Sequence, residues 1–247
     1  MKKGLDASRD LTKFASELAG RYDFVARYYN AKNASKNLTL GEANILSTAG
    51  LAIVVVWEDG RPTNAGYFSY EKGVDDGTSA YFYALHTISQ PASTPIYFAV
   101  DYDATQADLN GPITSYFQGI RDGFNTISNN DPSYIVGVYG SGLVCSGILS
   151  ANLASYSWLT MSGGWRGSRT FNAYNIKQLK TIQECADLGG VEVDTDSSPN
   201  DNEGSFSITT HLEALGFANQ RSARTGNAKR KKKPGKKKRS KKNNQGL

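Results

Sequence analysis

The sequence predicts an α/β fold, a (β/α)8 TIM-type barrel followed by a disordered basic tail. Three observations carry the prediction. Strand-like apolar runs alternate with helix-like stretches about eight times over roughly 220 residues. Some runs are nearly continuous, as in LAIVVVW from Leu51 to Trp57, the pattern of parallel strands buried on both faces. The turn after the first run, Asp6-Ala7-Ser8-Arg9-Asp10, lacks the glycine-rich phosphate loop that an open doubly wound sheet places there. The open sheet, and nucleotide binding with it, is therefore disfavoured.

Each element has a local signal. Strands are expected at Lys3–Ala7, Phe24–Tyr29, Ala52–Trp57, Ile96–Asp101, Tyr134–Tyr139, Tyr156–Thr160, Thr170–Tyr174 and Val191–Asp194. Asp10 is placed to cap a helix whose Leu11, Phe14 and Leu18 form one stripe. Thr39-Leu40-Gly41-Glu42 reads as a capping box, and Gly50 as the stop of that helix. Thr78–Ile88 is helix-compatible and precedes Pro91; Pro112 suits the first turn of a helix through Phe124. Ser141 is placed to cap Gly142–Leu153, and Thr210–Leu215 reads as a final helix.

Charge divides the chain into two parts. The net charge of +5 comes from 28 basic and 23 acidic residues, and 13 of the basic ones fall in residues 220–247, which hold no acid. Residues 1–219 therefore form a barrel domain of net charge −8, and 220–247 a Lys/Arg-rich tail. No apolar run approaches the roughly 20 residues of a membrane span. Met1-Lys2-Lys3 imitates a signal-peptide start, but Asp6, Arg9, Asp10 and Lys13 interrupt the apolar core such a signal needs. The expectation is a protein made in the cytoplasm with no Sec signal. Cys145 and Cys185 lack metal-type spacing and read as buried free thiols; His86 and His211 share no motif. Neither a metal site nor an organic cofactor is expected.

The segment PIYFAVDYDAT, Pro95–Thr105, ends an apolar strand on two aspartates. Period-two alternation puts Tyr97, Ala99, Asp101 and Asp103 on one face, and Ile96, Phe98 and Val100 on the other. In a TIM barrel the chemistry lies at the carboxyl ends of the strands. Asp6, Tyr29, Glu58, Tyr139 and Asp194 fall at such ends on this reading. Carboxylates ringing one mouth cannot all ionise at ordinary pKa values, and a raised one is what a general acid needs. The alternative for each Asp is a helix cap or turn. For Asp101 and Asp103 together, with only one helix after them, a site is the better account.

GLDAS, FVARYY, VVVWEDG, PIYFAVDYDAT, YFQGI, VGVYGS and GGVEVD together resemble the glycoside-hydrolase-like TIM-barrel family related to the family-25 lysozymes, over about residues 3–217. The resemblance implies a lysozyme-like barrel acting on peptidoglycan or a related β-linked amino-sugar glycan. Asp6 matches the aspartate those lysozymes carry after strand one, and Asp101 the first acid of their Asp-x-Glu after strand four. Asp103 stands where their acid Glu stands. Its proton would sit about 1.5 Å further back, and misplacement on that scale costs ~10²-fold. Either Asp103 or Glu58 is then the acid, with Asp101 stabilising charge or orienting an N-acetyl group and Asp6 tuning the pair. Tyr29, Tyr139, Trp158 and Trp165 are candidate sugar-stacking surfaces, with core packing as the alternative for each, and Asp194 is a further substrate contact. A barrel that binds glycan without cleaving it is the competing reading.

The tail reads AKRKKKPGKKKRSKKNNQGL from Ala228. Its like charges and lack of apolar residues predict disorder. Lys229, Arg230, Lys231, Lys232, Lys233, Lys236, Lys237, Lys238, Arg239, Lys241 and Lys242 form a polyanion-binding arm or a solubilising extension. An envelope polymer, an anionic bilayer or nucleic acid would each serve as partner, and the absence of interleaved aromatics argues against base stacking. With no Sec signal expected, lysis or an injection route would deliver such an effector or lysin.

Overall fold

Eight strands close a barrel in chain order. They are β1 (Lys2–Asp6), β2 (Phe24–Tyr29), β3 (Ala52–Trp57), β4 (Pro95–Ala99), β5 (Ile135–Gly140), β6 (Tyr156–Leu159), β7 (Ile176–Glu184) and β8 (Val191–Ser198). The structure, a computed structural model, describes residues 1–208. The expected helix Thr210–Leu215 and the basic segment with Lys229–Lys242 lie outside the described residues. Among those described, no helix is long and apolar enough to cross a membrane, and Cys145 and Cys185 are buried free thiols.

The α/β barrel expected from the sequence is present, with one departure in its last unit. Strands β1 to β7 pair parallel in succession. Strand β8 pairs antiparallel with both β7 and β1. No helix joins β7 to β8, only a short 3-10 turn, Ala186–Leu188, flanked by positive φ at Cys185 (55°), Gly189 (88°) and Gly190 (72°). Two adjacent glycines between β-branched runs are a hairpin signal. The run Thr170–Tyr174 is not a strand; β7 begins at Ile176. Aromatic and β-branched content pointed to the wrong segment because β7 alternates through Gln178 and two lysines, and so carries little apolar signal.

The strand alternation is borne out in the packing. Phe24, Ala26, Val54, Val56, Tyr97, Ala99, Trp158 and Ile176 fill the barrel interior as one buried cluster. Val25, Ile53, Val55, Ile96, Phe98 and Val138 face outward into the larger core shared with the helices. Below, Phe206 bridges to Ile53 and Tyr97 Oη donates to the Glu203 carbonyl at 2.9 Å, so the chain after β8 plugs the bottom.

The outer helices are α1 (Ala15–Ala19), α2 (Leu40–Ala49), α3 (Tyr70–Phe82), α4 (Gln106–Asp108), α5 (Thr114–Ser128) and α6 (Gly142–Ser150). Thr39 caps α2 through the Glu42 amide, Gly50 ends it in the left-handed region, and Ser141 caps α6. The expected helix at Thr78–Ile88 instead starts at Tyr70 under a Ser69 cap and continues as a π-helical turn, Tyr83–Ile88. The helix expected from Pro112 begins earlier, with a Thr105–Asp108 capping box and a π-helical turn, Leu109–Ile113, that absorbs the proline. Asp10 accepts from the Thr12 amide ahead of a short 3-10 turn.

Helices α3 and α5 pack backbone to backbone. A Cβ on Gly73 would stand 2.0 Å from the Tyr116 carbonyl oxygen, and one on Gly119 2.1 Å from the Tyr70 carbonyl oxygen. Backbone cannot yield there without separating the helices. Gly119→Ala is expected to lower unfolding free energy by about 1–3 kcal/mol. Gly111→Ala, with nothing within 4 Å of its Cβ, should be near neutral in the same denaturant titration.

Candidate active site

The alternation that fills the interior carries polar side chains to its open end. After inward Val54 and Val56 comes Glu58; after Tyr97 and Ala99 comes Asp101; after Ala26 comes Tyr28. Asp6 ends β1, and Asp194 reaches the same level from β8, directly opposite it in register. Asp6, Glu58, Asp101 and Asp194 line one cavity of about 280 Å³ with Tyr28, Tyr139, Trp158, Trp165 and Gln178.

Gln178 is the hub of the floor. Its Nε2 donates to Asp6 Oδ2 at 2.8 Å and to Asp194 Oδ2 at 3.1 Å. Its Oε1 accepts from Tyr139 Oη at 3.0 Å and from the Met161 amide at 3.3 Å. A neutral amide here holds two carboxylates at one donor without adding charge. Asp6 also accepts from Tyr28 Oη at 3.2 Å. Asp196, one inward step below Asp194, accepts from Trp158 Nε1 at 3.0 Å. Its Oδ2 is buried without a hydrogen-bond partner among the described residues, and the Asp6 charge helps to raise its pKa.

Burial dominates the titration of this cluster. It pushes Asp6 up to about 7; the Gln178 bond opposes the rise and the Asp194 charge adds to it. Asp196 is raised well above the carboxylate range, by burial first and the Asp6 charge second. Glu58 is raised by burial, lowered in part by Lys36, and raised again by Asp101. Asp101 is raised by burial against the same Lys36. Lys36 Nζ stands 3.4 Å from Glu58 Oε1 and 5.4 Å from the centroid of the Tyr28 ring. Asp6 is therefore able to keep a proton near neutral pH, while Lys36 grades Glu58 and Asp101.

Of the residues expected at this site, the structure brings together Asp6, Glu58, Asp101, Asp194, Tyr139, Trp158 and Trp165. Trp158 forms buried floor rather than open surface. Two residues are placed elsewhere. Tyr29 is fully buried on the outer face of β2 and donates to Gln90 Oε1 at 2.9 Å. The inward residue is Tyr28, as alternation from Phe24 and Ala26 requires. Asp103 does not line the cavity: β4 ends at Ala99, the inward series stops at Asp101, and Arg166 holds the Asp103 carboxylate. Asp194 lies within β8 rather than after it. Tyr28, Gln178 and Asp196 were missed. The same period-two reading, applied to VEVDTD, pairs Asp194 with Asp196. Among the described residues no cluster of His, Cys, Asp and Glu has a metal-binding arrangement.

The closed α/β barrel gathers its acidic side chains at one mouth. The chain belongs to the family described as "Rv2525c-like, glycoside hydrolase-like domain", whose profile matches residues 17–198. It is 32% identical over 207 residues to the uncharacterized protein FadG of Bacillus subtilis (strain 168), a match covering 79% of this chain and 35% of FadG. The chain thus spans about a third of that relative. The fold is similar to that of the Mycobacterium tuberculosis Tat-secreted protein Rv2525c solved with L-tartrate: TM-score 0.67, 22% identity, 83% of this chain and 98% of that one. It is also similar to the modular autolysin LytC of Streptococcus pneumoniae: TM-score 0.52, 13% identity, 79% of this chain and 46% of that one.

The raised Asp6 makes a prediction for stability. Its folded pKa lies above the unfolded value of 3.8, so the folded state binds the extra proton between the two. Stability from this group is greatest below the unfolded value and falls as pH rises toward about 7. Asp6→Asn removes that ionisation. Its melting temperature should gain on the wild type progressively from pH 4 to pH 8, measured by thermal unfolding across that range; parallel curves would contradict the assignment.

Proposed function

We propose that the barrel is a glycosidase that cleaves a β-linked amino-sugar polymer, with Glu58 as the proton donor and Asp101 as its partner carboxylate. The observation that carries this reading is that these two groups share one cavity, both raised by burial, with Asp101 further raising Glu58. Two neighbouring carboxyls that cannot both ionise easily divide into an acid and a base. Glu58 would protonate the departing glycosidic oxygen while ionised Asp101 stabilises positive charge on the sugar ring. Asp6, held by Gln178 and Tyr28, tunes the pair from below. Tyr28, Tyr139 and Trp165 supply aromatic surface for the sugars. Peptidoglycan is the first polymer to test, since LytC, which shares the fold, was solved with a synthetic peptidoglycan ligand.

Purified protein is incubated with peptidoglycan and the soluble products are assayed for new reducing ends and identified by mass spectrometry. Glu58→Gln should lower turnover by about 10²-fold or more. Because Glu58 must be protonated to act, wild-type activity should fall as pH rises through its raised pKa. Full activity in Glu58→Gln would overturn the assignment. One observation favours a second reading, a barrel that binds glycan without cleaving it: Lys36 at 3.4 Å favours the charged form of Glu58, which cannot donate. Saturable glycan binding by wild type with no new reducing ends would establish that alternative.

The same proposal extends to residues 229–242, which hold eleven Lys and Arg. They act as an electrostatic anchor for a barrel domain of opposite net charge, on an anionic envelope or, in the competing case, nucleic acid. Exposed charges are screened within about 8 Å at physiological salt, so the contact is close and salt-sensitive. Truncation after Gln220 should weaken binding to cell walls, anionic liposomes or duplex DNA, most at low salt, and leave cleavage of small soluble glycans unchanged. Equal affinities of full-length and truncated protein on all three surfaces would reduce the segment to a solubilising extension.

A further inference from the structure

Asp103 occupies the sequence position nearest to a lysozyme acid, yet its carboxylate is committed to one other residue. Oδ1 accepts from the Arg166 backbone amide at 2.8 Å, and Oδ2 from Arg166 Nη1 at 2.7 Å. The same Nη1 donates to the Asp103 carbonyl at 3.0 Å. A lone exposed ion pair contributes little. Here three bonds join the two residues, two of them reaching a backbone group, so the contact fixes chain position as well as charge.

Arg166 belongs to the long connection between β6 and β7, and this connection forms one wall of the cavity. Met161, Ser162 and Trp165 line it. Beyond Trp165 the segment is seated on the start of α6: the Leu143 amide donates to the Arg166 carbonyl at 2.8 Å, and the Gly142 amide to Ser168 Oγ at 3.1 Å. A Cβ on Gly142 would stand 2.2 Å from the Gly167 carbonyl oxygen, so the two backbones touch. Before Trp165 the chain is tied by Arg169 Nε, which donates to the Gly163 carbonyl at 3.2 Å. Gly163 and Gly164 have nothing within 4 Å of their Cβ positions, and the Trp165 amide reaches only back to the Ser162 carbonyl, at 2.9 Å. Trp165 thus stands between a glycine pair and the residue that Asp103 grips, and it is only partly buried.

We propose that Asp103 is a positioning residue for the glycan site: by holding Arg166 it sets the adjacent Trp165 as the stacking wall for one sugar ring beside Glu58 and Asp101. This rests on the glycan reading above. The ligand feature recognised is the apolar face of a pyranose ring, which an indole covers by stacking. The Asp-x-Asp spacing then has a division of labour. Asp101 faces the cavity, while Asp103, two residues on and past the strand end, ties the β4 connection to the wall formed by the β6–β7 connection.

The test uses the full chain and three readouts, the third being release of reducing ends from peptidoglycan. Hydrogen exchange of segment 161–171 is followed by mass spectrometry in wild type, Asp103→Asn and Asp103→Ala. Binding of a soluble β-1,4-linked N-acetylglucosamine oligomer is measured by calorimetry in the same proteins, in Trp165→Ala, and in the double variant. Asp103→Ala should speed exchange in the segment and weaken binding about two- to tenfold. Asp103→Asn, whose amide oxygen still accepts from Arg166, should retain most of both. In the Trp165→Ala background, Asp103→Ala should add nothing further, because the two act through one contact. Independent, additive losses would overturn the proposal, as would unchanged exchange in Asp103→Ala. Loss of turnover in Asp103→Asn with binding intact would make Asp103 the acid instead. If wild type binds no oligomer, the glycan reading and the stacking role fall together, whereas the exchange data still report whether Asp103 holds the segment.

Discussion

The reversed strand β8 is the constraint on which the site depends. Because it runs antiparallel to β1, closing the barrel sets Asp194 opposite Asp6 and Asp196 opposite Gly4. Three acidic side chains are thereby carried to one wall, and Asp6 and Asp196 are almost fully buried. Charge cannot be dispersed to solvent there, so protons are retained and neutral donors are recruited. Gln178 arrives from β7, the other neighbour of β8, and divides one amide between Asp6 and Asp194. A helix in place of the hairpin would turn β8 around and remove the register that sets Asp194 opposite Asp6.

A second buried interaction holds Asp6 from behind. Arg27 and Glu42 are fully inaccessible and paired at 2.7 Å and 3.2 Å. Arg27 also donates to the Ala7 carbonyl, and the Leu11 amide donates to Glu42 Oε1 at 2.9 Å. The pair therefore clamps both ends of the turn after Asp6. Such a pair adds little net stability over an apolar replacement, but leaving one partner unpaired costs about 3–5 kcal/mol. Its consequence is specificity of position: β2, α2 and the β1 turn have one mutual arrangement.

The mouth is graded in charge. Its floor is acidic and buried, Lys36 stands at Glu58 and Asp101, and Arg166 stands outside with Asp103. Cations placed at the rim lower the cost of ionising the outer carboxyls, while the inner ones stay protonated longest. That gradient works against a protonated Glu58, and burial together with the neighbouring Asp101 charge opposes it.

Much of this was legible in the chain alone. The inward parity of β4 came from PIYFAVD and located Asp101, and the position of Glu58 just after LAIVVVW located it at the same mouth, because both lie within two residues of a regular strand. Thr39, Gly50 and Ser141 marked helix ends through local hydrogen bonding and backbone preference, which need no tertiary partner. Asp103 and Tyr29 were misplaced for two different reasons. Alternation carries one or two residues past the strand, to Glu58 and Asp101, but not the four that separate Asp103 from Ala99, and there Arg166, a residue 63 positions away, takes the carboxylate. For Tyr29, proximity to the strand end was given more weight than its face. Gln178, Asp196 and the direction of β8 could be decided only by the closed barrel. Strand polarity depends on which neighbours are available for pairing, and polar residues in a strand become interior only when the surrounding walls bury them. Period and capping are local properties of the sequence; register, reversal and the sharing of a proton among distant acids are properties of closure.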